Sequence, residues 1–213
     1  DILLLRDRPY LVRNSAREER FGLGEDIKQW VKHAVDLESG ERKIIKLVFH
    51  ETFTIRVGNV RFDCYRSPAK ESRILALVNH HQNFMHGFSF KDDKGNLVRI
   101  LDYIYGKTLS RHVENLEMDH QKYFVNEFPE IFRNFLECVK AVRFLHNLNE
   151  KHGDIRRDHI IIDRETGNYR WIDFDFNYWH RENIYGYDLF SLGSLLIYLA
   201  GKGDFVLQEL CRD

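Results

Sequence analysis

Cysteine is scarce, with three residues in 213: Cys64, Cys138 and Cys211. Odd in number and far apart, they exclude a disulfide framework and a zinc site and fit reduced thiols in the cytoplasm. An excess of one charge is also missing. Lys+Arg is 32 against Asp+Glu 33, a net charge of -1. That balance points to neither a nucleic-acid nor a membrane partner. The longest apolar run, Leu189 to Ala200, is too short and too interrupted to make a transmembrane segment. There is no secretory signal pattern, internal repeat or low-complexity segment. What remains is ordinary globular material, 43% hydrophobic and 31% charged, enough for one large domain or two small lobes. The chain opens on Asp1 rather than Met, which leaves its natural start open, and nothing in it fixes an oligomeric state.

The first half reads mostly as strands. Val31–Leu37 and Lys43–Phe49 flank the Gly-containing turn "ESGE". Thr54–Val57 and Val60–Tyr65 flank "GN", and Phe84–Phe90 and Leu97–Tyr105 flank "KDDKGN". Ser67-Pro68 opens a helix running to about Val78, with Ser as N-cap and Pro in the first turn. The second half turns helical. Ile131, Phe132, Phe135, Cys138, Val139, Val142 and Leu145 recur at three-and-four spacing, which predicts a long amphipathic helix over 129–147. Ile160–Ile162 and Tyr169–Ile172 form a short hairpin, and Asp188 to Ala200 is a helix apolar on nearly all sides, expected to be buried. The expected architecture is α+β in two lobes, 1–104 rich in strands and 105–213 mainly helical.

Polar residues stand out against this pattern. In "KIIKLVF" the period of two sets Ile44, Lys46 and Val48 on one face and Ile45, Leu47 and Phe49 on the other. Both faces are apolar, so the strand is covered, and a lysine at its centre either snorkels or meets an anion. On the Pro68 helix Glu71 shares a face with Ile74, Leu75 and Val78. It is either a solvated first-turn acid or a partner for Lys46. "HGDIRRDHIIID", residues 152–163, then places Asp154 at one end of a short hairpin and Asp173 at the same end of its second strand. Two acids there suit a hydroxyl-proton acceptor and a hard-cation ligand.

Lys46, Glu71, His152-x-Asp154, Asp173-Phe174 and Asp188 occur in the order of the protein-kinase signature set, and the chain resembles that superfamily over about residues 20–201. The resemblance implies a bilobal protein-kinase-like fold and an atypical, ATP-dependent kinase using Mg2+ or Mn2+. Lys46 would bind phosphates and pair with Glu71. Asp154 would accept the proton of the attacking hydroxyl, with Arg156 near the γ-phosphate. Asp173 would bind the metal, and Asp188 would anchor the catalytic loop. Gly24, Val31, Ile44, Asp102 and Tyr103 fall at nucleotide-binding positions. The implied acceptor is a protein Ser/Thr hydroxyl. A small-molecule or sugar kinase and a pseudokinase binding module are the alternatives.

Departures from the family bear on that choice. Only Gly24 remains of the glycine-rich loop, with Asp26 and Gln29 in later places, and Ile44 narrows the adenine slot. Gly153 replaces the arginine of His-Arg-Asp, and only fourteen residues, Phe174 to Tyr187, separate Asp173 from Asp188. Switching by activation-loop phosphorylation is therefore not expected. "HGD" and Asp175 in place of the glycine of Asp-Phe-Gly are similar to small-molecule kinases. His159 stands where the family has a metal-binding asparagine, as in lipopolysaccharide core heptose kinases. Imidazole there tilts the site towards Mn2+. The hairpin Thr54–Tyr65 is extra, and reads as a partner surface or, more simply, a solvated flap.

Overall fold

A computed structural model describes residues 1–19 and 25–204, with the backbone alone for residues 18, 19, 25 and 26. Gly24 lies outside the described residues. The strands, in chain order, are β1 (Ile2–Leu5), β2 (Arg8–Glu19), β3 (Glu25–Asp36), β4 (Arg42–Lys46), β5 (Thr52–Val57), β6 (Val60–Arg66), β7 (Gly87–Lys91), β8 (Leu97–Asp102), β9 (Gly106–Thr108), β10 (Ile160–Asp163), β11 (Tyr169–Trp171) and β12 (Phe176–Trp179). The helices are α1 (Pro68–Leu77), α2 (Leu109–Glu114), α3 (His120–Asn126), α4 (Phe128–Asn147) and α5 (Gly186–Gly201). The chain is thus α+β, and it divides into two compact units. Unit 1 gathers Asp1–Glu51, Arg66–His80 and Met85–Ile104; unit 2 takes Thr52–Tyr65, His81–Phe84 and the chain from Tyr105 onward. The division is not a single cut at 104/105, because two segments from the first half belong to the second unit.

Unit 1 is one antiparallel sheet in the order β1-β2-β3-β4-β8-β7, with α1 beside it. Leu3 and Leu5 of one edge strand pack on the same core as Phe90 of the other, and the Arg6 guanidinium lies 5.1 Å from the Phe90 ring centre. The sheet is therefore curled until its edges approach. Its inner face holds Tyr10, Ala34, Ile45, Phe90, Val98 and Ile100, with Leu47 packed against them. Alternation sends Ile45 and Leu47 of the fourth strand and its continuation into that core, and Lys46 to the opposite face, towards α1. The α1 start follows the sequence signal: the Ser67 side chain accepts the Lys70 N–H at 3.2 Å, and Pro68 opens the first turn.

Unit 2 is built around α4. Its buried stripe is Ile131, Phe135, Cys138, Ala141, Val142 and Leu145, close to the predicted face. The hairpin β10–β11 is pinned to this helix by Trp171 Nε1, which donates to the Cys138 carbonyl at 3.0 Å. Asn83 Nδ2 donates to the Tyr169 carbonyl at 2.9 Å. A third strand, β9, completes that small sheet. It crosses so close to β10 that a Cβ on Gly106 would overlap the Ile162 carbonyl oxygen, so only glycine fits.

Two expectations change. The β5–β6 hairpin is not a solvated flap: it forms a sheet in the order β12-β6-β5 with the segment that follows Asp173-Phe174-Asp175. Phe62, Cys64 and Tyr178 make a buried cluster there, with Tyr187 packed against it. The period-two pattern of "VRFDCYR" shows which residues turn inward, but a distant partner strand leaves no local mark. The second change concerns α5. It buries Asp188, Leu192, Leu195, Tyr198 and Leu199, but Leu189 is 60% and Ile197 65% exposed. Among the described residues only one side of this helix has neighbours, so its all-round apolar sequence is half covered. No described helix is long and apolar enough to cross a membrane.

Candidate active site

In unit 1 the sequence-selected lysine and glutamate meet. Lys46 Nζ donates to Glu71 Oε1 at 2.8 Å, and Glu71 has no exposed surface. Of the two readings of Glu71, the solvated acid is excluded. A second cation that sequence reasoning missed completes the group. Arg99, opposite Lys46 across the β4–β8 ladder, donates Nε to Glu71 Oε2 at 3.0 Å. Its remaining nitrogens reach the carbonyls of Leu97 and Leu47, each at 3.1 Å. The signal was available, because Arg99 interrupts the apolar run "LVRILD" much as Lys46 interrupts "KIIKLVF".

Val31 is buried opposite Lys46 in the β3–β4 ladder, and Ile44 lies two residues from Lys46 on the same strand face. Asp102 is turned elsewhere: it is exposed and accepts Lys43 Nζ at 2.8 Å. Tyr103 stands under the Arg42 guanidinium, 5.6 Å from its ring centre.

In unit 2 Asp154, His159 and Asp173 come together, each offering a ligand atom within 4.8 Å of the others. The loop that carries Asp154 is fixed by Asp188. Its carboxylate accepts the backbone N–H groups of His152 and Gly153, each at 2.9 Å, and holds His146 Nε2 at 2.9 Å. Gly153 has φ +87°, a conformation natural to glycine. The His152 ring packs edge-on against Trp171 and Phe174. Asp173 itself has φ +63°. A non-glycine residue there carries on the order of 1–3 kcal/mol of strain, borne because the following Phe174 and Asp175 are both fully buried.

His159 follows from the short 3-10 turn Arg157–His159. Its Nδ1 lies 2.8 Å from the Asp154 carbonyl oxygen. A carbonyl only accepts, so Nδ1 carries the proton. In the neutral ring Nε2 then carries a lone pair, and this faces Asp173 Oδ2 at 3.7 Å. Two electron-rich atoms held face to face are the natural mouth of a cation site, and metal-ligating histidines commonly donate their other nitrogen in this way. Asp154 Oδ2 lies 3.4 Å from Nδ1. Burial pushes the Asp154 carboxyl up to about 6, with a further push from Asp173 and an opposing pull from the Arg156 guanidinium. Arg156 is not idle: it forks onto Asp158, Nε to Oδ1 at 3.0 Å and NH2 to Oδ2 at 2.6 Å. That pairing, and the part of His146, were not legible beforehand.

No protein-family model matches the chain. Among curated proteins it is similar to "Putative ribosomal protein S6 kinase alpha-2" of Caenorhabditis elegans, 23% identical over 137 residues, covering 63% of this chain and 17% of that protein. It is also similar to "Sperm motility kinase Tcr mutant form" of Mus musculus, 24% identical over 115 residues, 54% of this chain and 22% of that protein. The chain thus spans about a fifth of these curated relatives' length. The likeness is weak and partial, and it supports a kinase-like relationship.

Proposed function

We propose that the chain carries the chemistry of an ATP- and divalent-metal-dependent phosphotransferase of the protein kinase superfamily, with a protein Ser/Thr hydroxyl as acceptor. The observation that carries this reading is the His159 geometry: a ring whose Nδ1 proton is held by the Asp154 carbonyl, with Nε2 aimed at Asp173. The kinase likeness of the two relatives supports it.

Asp173 and His159 hold Mg2+ or Mn2+, which neutralises phosphate charge when bound. Lys46, steadied by Glu71, takes the α- and β-phosphates. Asp154, as carboxylate, orients the acceptor hydroxyl and receives its proton as the oxygen attacks the γ-phosphorus. The bond from that phosphorus to the β-phosphate oxygen breaks in line, releasing ADP. Catalysis of this kind is mostly positioning and electrostatics. Arg156 contributes at the γ-phosphate after exchanging Asp158 for it. The second reading, a small-molecule hydroxyl as acceptor, is favoured by the short segment after Asp173 and by the buried Asp175.

The test is a thermal shift with ATP and each metal, followed by transfer of labelled γ-phosphate to a generic protein and to a sugar panel. A metal-dependent shift and labelled protein are expected. Labelled sugar alone selects the second reading. No shift and no product would leave a binding module.

A further inference from the structure

The curled sheet of unit 1 leaves a cavity of about 270 Å³ at one end of its inner face. Its walls are Leu5, Tyr10, Phe88, Phe90 and Ile100, with Arg6 and Arg8 at the rim. Register sets Phe88 directly opposite Ile100, so its ring belongs to the core side of the sheet. Yet Phe88 is 43% exposed, while Phe90, two residues on, is 7% exposed. The apolar lining therefore opens to solvent at this end. Such a mouth in a closing sheet is a common place for a small ligand.

The two arginines differ. Arg8 is answered by acids: its Nε donates to Glu38 Oε2 at 2.9 Å, and its NH2 lies 3.5 Å from Asp36 Oδ2. Arg6 has no carboxylate partner among the described residues, and its guanidinium stands 5.1 Å from the Phe90 ring centre. Its backbone is unusual as well. Leu5 pairs with Arg8, so Arg6 and Asp7 alone make the turn, with φ +51° and +62°. A two-residue turn of this kind favours Asn followed by Gly, and arginine there is strained. The turn alone gives no reason for arginine at this place.

We infer that the cavity binds a small aryl-alkyl carboxylate, its ring among Phe88, Phe90 and Ile100 and its carboxylate on Arg6. An apolar cavity of about 150 Å³ already holds benzene, so the larger space takes a phenyl ring with a short arm. Aromatic walls suit an aromatic guest, and a guanidinium fork matches a carboxylate. Asp36 and Glu38 are engaged by Arg8 and do not compete for Arg6. The inference does not depend on the phosphotransfer reading, because Ile45 and Ile100 face this side of the sheet and Lys46 the other.

The experiment titrates the isotope-labelled wild-type chain with phenylpropanoate and with the neutral isostere phenylpropanol, read by backbone amide shifts. It repeats both titrations with Arg6→Asn and Phe88→Ala. Wild type is expected to bind the acid saturably, with shifts centred on Leu5, Phe88 and Ile100, and about fivefold or more tighter than the alcohol. Arg6→Asn is expected to lose that preference while melting no lower than wild type, because Asn suits the turn. Phe88→Ala is expected to weaken acid and alcohol alike by about threefold or more. No saturable binding by wild type, equal affinity for acid and alcohol, or shifts centred on Lys46 overturns the inference. So does unchanged binding in Phe88→Ala, or an Arg6→Asn variant that keeps the preference. An Arg6→Asn variant that melts well below wild type also overturns it, because Arg6 is then a packing residue over Phe90.

Discussion

Replacing Asp154 by Asn should stabilise the metal-free protein while abolishing turnover. Burial raises the Asp154 carboxyl from its ordinary value of 3.8 to about 6. The folded chain therefore holds a proton that the unfolded chain releases between those values. The stability contributed by this group is full below the unfolded pKa and is lost as pH rises through about 6. A shift of about two units corresponds to about 3 kcal/mol of cost at about pH 7.5, falling to about 1 kcal/mol at about pH 4.5. Asn is isosteric and uncharged and escapes this cost. For a chain of this size the gain is about 6–12 °C in Tm at the higher pH. The assay is calorimetric melting of both proteins in EDTA at the two pH values. A gain at the higher pH that shrinks at the lower is expected, and excess Mn2+ should erase it by favouring the carboxylate of the wild type. Equal melting temperatures at both pH values, or a destabilised Asn variant, would refute the reasoning.

His159→Asn should lower the ratio of Mn2+- to Mg2+-supported turnover, because an oxygen ligand replaces imidazole nitrogen; an unchanged ratio removes His159 from the metal set. Phe62→Ala should cost about 3–5 kcal/mol in urea unfolding, since the ring is buried against Tyr178, His180 and Tyr187. A loss below about 1 kcal/mol would restore the solvated flap. Burial pushes the Cys64 thiol up to about 11 and raises Cys138 further. Iodoacetamide at about pH 8 should therefore leave both unmodified until denaturant is added, as read by peptide mass spectrometry. Rapid native labelling of Cys64 would show that its hairpin is open.

What was legible beforehand followed local rules. The cap at Ser67, the stripe of α4 and the alternation that isolates Lys46 are all set by neighbours within a few residues. The meeting of Lys46 with Glu71 and of His159 with Asp173 was legible because order along the chain matched a known pattern. Arg99 escaped because one charge in a strand says nothing about which carboxylate it will face. Asp158 on Arg156 escaped because the spacing of the two residues does not show which way their side chains turn. The exposed side of α5 could not be foreseen, since composition gives hydrophobicity and not coverage.

The hairpin that joins β12 also constrains the order in which the chain can fold. Tyr65 and Asn177 are hydrogen-bonded across 112 residues of sequence. Closing so long a loop is slow, because its entropy is lost before the contact rewards it. During synthesis β5 and β6 emerge early, with Phe62 and Cys64 lacking the partner that finally buries them. Unit 1 must also return twice after segments that belong to unit 2. A strand edge and an apolar face thus wait for the last third of the chain. Such a waiting edge is open to wrong pairing, and a ribosome-bound chain stopped before residue 176 would display it to chaperones.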